Sequence, residues 1–312
     1  MLADAQIRRY ECALTHVFNQ RPPDGNLKYW SGEKKEVKRG VNSELPWAWI
    51  QPEPKLYVEA KHAQPALVRL KAEIERVRPN CIVALGNTAL SALCGVAGIG
   101  RVRGTLHECV LVPGVKVIPT YHPAAIIRQY ENRGFVVADL MKAKTESLFP
   151  DFRFLRRSLW IEPTVHDLYA WRDRLTSASH LTVDVETQPS ARQITCIGFS
   201  PSNTEAYVIP FWDRRKPDGH YWSHEDEKIA WRIVKEILES PSVKIMQNGL
   251  YDTQYCLHYK WYVRGFTEDT MILHHSLYPS VPKGLDFLGS LYCNERAWKQ
   301  YRPRGGEEKK DA

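Results

Sequence analysis

The chain has 312 residues, of which 43% are hydrophobic and 25% charged, and its formal net charge is +7 at pH 7. This length exceeds one ordinary compact core, so two domains are expected, and no apolar stretch reaches the roughly 18 residues of a membrane-spanning helix. Seven scattered cysteines without C-x-x-C spacing disfavour a disulfide framework or a zinc site. No signal-peptide pattern is present, which indicates a cytoplasmic protein, and the positive charge suits a nucleic-acid partner.

The first half of the chain alternates predicted strands and helices. Strands are expected at 12–18, 81–85, 107–112 and 115–119, and helices at 65–78, 89–94, 123–128 and 135–148. The run Cys81–Leu85 is continuously apolar, as in a strand that is buried on both faces. Residues 28–56 are predicted to form an irregular surface insertion. The alternation predicts an α/β domain of three layers around a parallel sheet.

Three features of this half resemble uracil-DNA glycosylases of the family 4 type. They are Arg21-Pro22-Pro23, Ile82-Val83-Ala84-Leu85-Gly86 and Val117-Ile118-Pro119-Thr120-Tyr121-His122-Pro123-Ala124. The resemblance, over residues 5–148, implies that His122 supports the departing uracil, where a neutral imidazole would donate to the developing oxyanion. It also implies a substrate contact for Arg103, because Arg103-Gly104 matches an R-G step of that family. The alternative is that His122 only caps the end of a strand.

Several departures from the glycosylase pattern weigh against activity. The first glycosylase motif, a Gly-Glu-rich loop, is missing, and His16 stands where the family has an asparagine. Gln20 and Ala63 occupy positions of the family's iron–sulfur cysteines. We therefore expect no iron–sulfur cluster, and we expect this first domain to be an inactive glycosylase-like module.

The second half begins after a predicted basic linker at 149–157. Strands are expected at 158–161, 181–187, 193–200, 205–210 and 243–247, and helices at 165–175 and 224–238. The predicted strand at 181–187 carries two acids, Asp184 and Glu186, which project to the same side about 7 Å apart because side chains alternate along a strand. Two acids in a buried strand need a cation or a basic partner nearby, and Mg²⁺ or Mn²⁺ prefers carboxylate oxygens.

Further acids follow in a specific order. Asn248 is a predicted helix N-cap, Asp252 lies one turn later on the same helical face, and Glu268-Asp269-Thr270-Met271 precedes an apolar helix. D-x-E, N-x-x-x-D and E-D-T-M in this order resemble the 3′–5′ exonucleases of the DEDD superfamily, and above all the proofreading domain of family A DNA polymerases. The resemblance covers residues 158–300 and implies a ribonuclease H-like fold.

The resemblance implies that Asp184, Glu186 and Asp252 hold two Mg²⁺ or Mn²⁺ ions. Asn248 would orient the terminal nucleotide or brace the helix of Asp252, and Asp269 is expected to cap its own helix. The superfamily's fourth acid is missing, because Asp311 fits neither Y-x-x-x-D nor H-x-x-x-x-D. A site of three acids would bind one ion well and the second poorly.

The whole chain resembles the middle of a phage DNA polymerase, cut at both ends, with a glycosylase-like domain at 1–150 and an exonuclease-like domain at 158–312. The expected partners are DNA with a single-stranded or frayed 3′ end and a separate polymerase chain, with no membrane. Three alternatives stay open: an inactive DNA-binding accessory chain, a uracil-DNA glycosylase, and an RNA 3′-exonuclease.

Overall fold

The computed structural model describes residues 1–32, 50–53, 56–188, 190 and 192–296. The predicted tail with Asp311, and most of the predicted insertion, lie outside these residues.

The chain divides into two compact units. The first consists of Met1–Phe154 and the segment that begins at Asp286, and the second is Leu155–Leu285. The division after Phe154 falls in the predicted linker. The second predicted domain extends to residue 312, whereas the second unit ends at Leu285. Phe287, after that boundary, packs edge-on against Phe135 of the first unit, with 5.0 Å between the ring centroids.

The first unit is a small α/β domain. Its elements before the division are β1 (Ser31–Gly32), β2 (Tyr57–Val58), α1 (Ala60–Val77), β3 (Cys81–Leu85), α2 (Gly86–Cys94), α3 (Ile99–Val102), β4 (His107–Glu108), β5 (Lys116–Thr120), α4 (Pro123–Arg128) and α5 (Arg133–Ser147). The sheet has the order β3-β5-β4, in which β3 and β5 are parallel and β4 is antiparallel to β5. The apolar face of α1 and the interior of β3 and β5 share one core.

Two strands predicted in this unit differ from the structure: one is absent and the other is shorter than expected. The expected strand at 12–18 is not formed, because the Arg69 guanidinium of α1 takes the carbonyls of His16 and Val17, the latter at 3.0 Å. The expected strand at 107–112 stops at Glu108. The chain then turns at Gly114, which has a φ of 88°, and the Cys109 amide bonds the Val115 carbonyl across that turn.

The second unit is a mixed sheet with helices. Its elements are β6 (Ser158–Trp160), α6 (Val165–Thr176), β7 (His180–Gln188), β8 (Gln193–Ser202), β9 (Glu205–Pro210), α7 (His224–Leu238), β10 (Val243–Met246), α8 (Gly249–His258), β11 (Phe266–Asp269) and α9 (Thr270–Leu277); the final helix, α10 (Leu285–Tyr292), follows at the return to the first unit. Within the described ranges, none of the helices is long and apolar enough to cross a bilayer.

The strand order of this sheet is β11-β10-β7-β8-β9-β6. Strands β7, β8 and β9 form an antiparallel meander, while β10 pairs parallel with β7 and β11 pairs parallel with β10. A three-strand meander followed by two parallel strands on the side of its first strand is the ribonuclease H-like arrangement. The predicted fold is therefore confirmed, with β6 added beside β9 at the far edge.

Strand β7 is buried on one face only. Leu181, Val183 and Val185 enter the core that α6 and α7 cover, whereas Asp184 and Glu186 are exposed. The expectation of a buried strand holds for one face only, because an antiparallel hairpin can leave the other face of its sheet to solvent. We call the surface that carries Asp184 and Glu186 the acid face.

Candidate active site

On the acid face, Asp184 and Glu186 of β7 lie beside residues of the neighbouring strand β8. Asp184 is opposite Gly198, and Glu186 is opposite Cys196. The Cys196 thiol has a pKa raised to about 11, first by burial and then by the negative charges of Glu186 and Asp184. The pairing of β7 with β8 therefore fixes the positions of both acids. Their negative charges together act on the neighbouring Cys196 thiol.

Asp252 meets this pair from helix α8. It is only 4% exposed, and the backbone N–H of Val185, the residue between Asp184 and Glu186, hydrogen-bonds its carboxylate. Burial first, and then the negative charges of Asp184 and Glu186, together raise the pKa of Asp252 to about 6. The structure thus brings together all three acids that the sequence singled out. Among the described residues, however, no three His, Cys, Asp or Glu side chains are spaced as a preformed metal site.

Asn248 lies between strand β10 and helix α8, directly before the first residue of the helix. It occupies the predicted N-cap position with a left-handed backbone, at a φ of 57°, but its side chain makes no capping hydrogen bond. The capping acceptor is Asp269, whose carboxylate receives the amides of Asn248 at 3.2 Å and Gly249 at 2.8 Å. The exposed Asn248 side chain is therefore not needed to start the helix.

Asp269 also caps its own helix, as the sequence predicted. It accepts the amides of Met271 at 2.9 Å and Ile272 at 3.3 Å, in addition to those at the start of α8. One carboxylate therefore holds the N-termini of two helices, where the helix dipoles favour negative charge. Since α8 carries Asp252, Asp269 positions the third acid of the cluster through backbone contacts.

Two tyrosines that the sequence reasoning missed lie on α8 beside the acids. The Tyr251 hydroxyl is 2.7 Å from the hydroxyl of Thr187 at the end of β7, and the ring of Tyr255 is 5.0 Å from that of Tyr251. The signal for Tyr251 and Tyr255 was their spacing of four residues, which places them on one helical face next to Asp252.

In the first unit, His122 lies where the parallel strands β3 and β5 end. Its Cβ is 3.1 Å from the position that a Cβ on Gly86 would occupy, so the start of α2 and the histidine are in close contact. The Nδ1 atom accepts the amide of Ala124 at 3.1 Å and caps α4. This bond requires an unprotonated Nδ1, which puts the proton of the neutral ring on Nε2.

Arg103 is buried, not presented to a substrate. It is 1% exposed, its guanidinium forms two hydrogen bonds with Asp139, and a third reaches the Ser290 hydroxyl at 3.2 Å. The rings of Phe135 and Phe287 lie 5.4 Å from its central carbon. These contacts make Arg103 a packing residue, and they do not support the predicted substrate contact.

Comparison with known proteins agrees with this architecture. Residues 1–146 match the family model of the Uracil DNA glycosylase superfamily. The first domain is thus similar to this superfamily over these residues. A type-4 uracil-DNA glycosylase from Thermotoga maritima is 42% identical to the chain over 80 residues, which cover 24% of this chain and 41% of that glycosylase.

The chain also matches a DNA polymerase. The polymerase of Bacillus phage SP01 is 28% identical over 145 residues, which cover 44% of this chain and 15% of the polymerase. The chain thus spans less than half the length of either relative. Both matches confirm the resemblances drawn from the motifs, to a uracil-DNA glycosylase in the first half and to a phage DNA polymerase.

Among solved structures, the catalytic core of RRP6 from Trypanosoma brucei aligns with 16% identity and a TM-score of 0.33, over 46% of this chain and 37% of that one. The ribonuclease H-like assignment rests on the strand order of the sheet and not on this alignment.

Proposed function

We propose that the chain is a divalent-metal-dependent 3′–5′ exonuclease that acts on DNA, as the proofreading-type module of a phage-like DNA polymerase. The observation that carries the proposal is the hydrogen bond from the Val185 amide to the Asp252 carboxylate, because it holds Asp252 against the stretch of strand that bears Asp184 and Glu186. Three acids from two distant parts of the sequence thereby share one surface of the sheet.

The chemistry of this donor set fits a hard divalent ion. All three residues offer carboxylate oxygens, which suit Mg²⁺ or Mn²⁺. Their mutual repulsion, seen in the raised pKa of Asp252, would be relieved by a bound cation. An ion held by Asp184, Glu186 and Asp252 would supply Lewis-acid stabilisation of charge on the phosphodiester, which is the chemistry of metal-dependent phosphoryl hydrolysis. A second ion is part of the same proposal.

The remaining residues of the site would position the substrate. Asn248 is exposed at the end of β10 and is spared from capping by Asp269, so its amide can contact the terminal nucleotide. Asp269 fixes the start of α8 and acts through Asp252 as a positioning residue. The Tyr251 hydroxyl, held by Thr187, lies on the same helix one residue before Asp252.

Hydrolysis of 5′-labelled single-stranded DNA tests this function. With Mn²⁺ the chain should give a ladder that shortens from the 3′ end, and Asp184→Ala should abolish it. Asp173→Ala, which removes an exposed acid on α6, is the matched control and should leave the ladder unchanged. If wild type binds the DNA but cleaves nothing with either Mg²⁺ or Mn²⁺, the inactive accessory chain is the better description.

The sugar preference is read from the same assay. Carboxylate ligands of a metal ion do not by themselves distinguish DNA from RNA, so an RNA 3′-exonuclease activity is tested by replacing the labelled DNA with RNA of the same sequence. Faster shortening of the RNA would contradict the DNA assignment and leave the nuclease assignment intact.

Uracil excision is the second candidate function, and one observation favours it. His122 keeps its proton on Nε2 because Nδ1 accepts the Ala124 amide, and a neutral Nε2–H donor suits a leaving uracil. Incubation with uracil-containing DNA followed by alkali should then produce strand breaks that His122→Ala eliminates. Intact DNA with the wild-type chain would contradict this second function and agree with an inactive glycosylase-like domain.

A further inference from the structure

The loop that follows strand β9 leaves the sheet beside the acid face. We call residues 211–222 the Trp212 loop. In the register of the sheet, Glu186 is opposite Cys196 and Cys196 is opposite Pro210, so these three residues form one row across three strands. Neighbouring strands are about 4.8 Å apart, which puts Pro210 about 10 Å from Glu186. The loop begins at the next residue.

One residue ties the loop to the catalytic strand. The Thr195 carbonyl accepts the amides of Phe211 at 2.8 Å and Trp212 at 3.1 Å, and the Thr195 hydroxyl donates to the Glu186 carbonyl at 3.0 Å. The position of Trp212 is therefore set by the same segment of β8 that flanks Glu186.

The loop is rigid and presents an aromatic ring. Trp212 is 38% exposed, and its indole lies over Gly219, where an added Cβ would come within 2.3 Å of the ring. The Asp213 amide bonds the Gly219 carbonyl at 2.8 Å, and the indole N–H of Trp222 bonds the Pro210 carbonyl at 2.6 Å. An exposed indole that is already fixed loses little conformational entropy when a base stacks on it.

Three consecutive basic residues follow the tryptophan. Arg215 is neutralised by Asp213 and Glu162, at 2.9 Å from each. Arg214 is exposed and forms no ion pair within the described residues. An exposed aromatic ring beside an available guanidinium is the combination that binds single-stranded nucleic acid, where the ring stacks on a base and the cation contacts the phosphate.

From this geometry we propose that the Trp212 loop binds the single-stranded nucleic acid upstream of its 3′ end, with Trp212 stacking on a base and Arg214 contacting a phosphate. The inference rests on the proposed exonuclease site, because it needs the 3′ terminus at Asp184 and Glu186. At about 3.4 Å per stacked nucleotide, the separation of about 10 Å corresponds to about three nucleotides. A dinucleotide would then reach the acids without reaching the loop.

Binding of fluorescent oligothymidylates to the full chain in EDTA tests the inference without any catalysis. Trp212→Ala should weaken binding of an octanucleotide about tenfold and leave a dinucleotide unchanged. Trp160→Ala is the matched control, since Trp160 is 40% exposed on the same sheet but lies on the side of Tyr207, which faces the core. Equal octanucleotide affinities of the two variants would overturn the proposal.

Arg214→Ala provides a second test in case the Trp212 loop unfolds when Trp212 is replaced. Arg214→Ala changes only an exposed side chain and should lower the salt dependence of octanucleotide binding by about one ion, while Arg232→Ala on α7 should not. An unchanged salt slope in Arg214→Ala would contradict the loop's role. These binding measurements need no metal, so they are independent of cleavage. If the chain cleaves DNA but binds the octanucleotide equally well without Trp212, only the role of the Trp212 loop is refuted. If the chain never cleaves DNA, only the proposed exonuclease activity is refuted.

Discussion

Asp139 in the first unit and Asp252 in the second are both buried carboxylates, but their surroundings are opposite. Asp139 accepts hydrogen bonds from the Arg103 guanidinium and from the Thr120 hydroxyl at 2.6 Å. Asp252 accepts a backbone amide and otherwise faces the charges of Asp184 and Glu186. A buried charge that is paired serves packing, whereas a buried charge held against like charges indicates a site made for a cation.

Other charged residues show the same contrast between paired charges in the first unit and clustered acids in the second. In the first unit the buried Lys116 is also matched, by Glu146 at 2.9 Å and by the carbonyls of Phe149 and Asp151. Arg103, the arginine of the R-G step, is likewise neutralised by its ion pair with Asp139. In the second unit, Asp184, Glu186 and Asp252 lie close together on the acid face. This is the region to which we assign the proposed hydrolysis.

Removal of Asp139 should have the largest effect, because it leaves Arg103 buried without a counter-ion. We expect Asp139→Ala to lower the free energy of unfolding by about 3–5 kcal/mol in a denaturant titration. The double variant Arg103→Met/Asp139→Leu should recover most of this loss, since the neighbouring rings accept an apolar side chain. A loss below about 1 kcal/mol in the single variant would contradict the account of a paired charge.

Asp269 should behave like Asp139 although it belongs to the second unit. It accepts four backbone amides at two helix N-termini, so Asp269→Ala should lower the free energy of unfolding by about 2–3 kcal/mol. Asp269→Asn, which keeps an acceptor oxygen, should lose less. If the two variants lose equal stability, the carboxylate charge and not its geometry holds the helices.

Acid pH should weaken the first unit through His107. Burial lowers the pKa of His107 to about 4, so the native state stays neutral while the unfolded chain binds a proton below pH 6.5. Its contribution to stability is present above pH 6.5 and is lost as the pH falls from about 6.5 to about 4, by about 2 kcal/mol. His107→Gln should remove this part of the pH dependence in thermal melts. A variant with the wild-type pH profile would contradict it.

Asp252 should respond to pH in the opposite direction. Its pKa is raised to about 6 from 3.8, so the native state pays an electrostatic penalty above pH 6 that is relieved as the pH falls towards 4. In metal-free buffer, Asp252→Asn should therefore be more stable than wild type by about 1–2 kcal/mol near neutral pH and equal to it near pH 4. A destabilised Asp252→Asn at neutral pH would show that the acid serves packing, as Asp139 does.

The sequence predicted local elements well and long-range partners poorly. Helix His224–Leu238 and strand Glu205–Pro210 were predicted with their observed bounds, because amphipathic and alternating patterns are local. The strand expected at 12–18 failed because Arg69 takes its carbonyls, a tertiary contact that no local pattern reveals.

The site shows the same limit. The shared orientation of Asp184 and Glu186 followed from strand alternation, and their exposure did not, because a single strand does not reveal which of its faces is covered. Two long-range contacts could not be predicted from the sequence. One is the capping by Asp269 of a helix that begins 20 residues earlier, and the other is the pairing of Arg103 with Asp139. An acid at the centre of an apolar helical stretch was the available signal for Asp139.

The most direct test of the central claim is the thermal stability of the metal-free chain before and after addition of Mn²⁺. A cation site formed by Asp184, Glu186 and Asp252 predicts that Mn²⁺ at about one hundred times its dissociation constant stabilises wild type by about 2.7 kcal/mol. Asp252→Asn and Asp184→Ala should lose this gain, while Asp173→Ala keeps it. No stabilisation of wild type, or an equal gain in Asp252→Asn, would contradict the claim that these acids hold a metal ion.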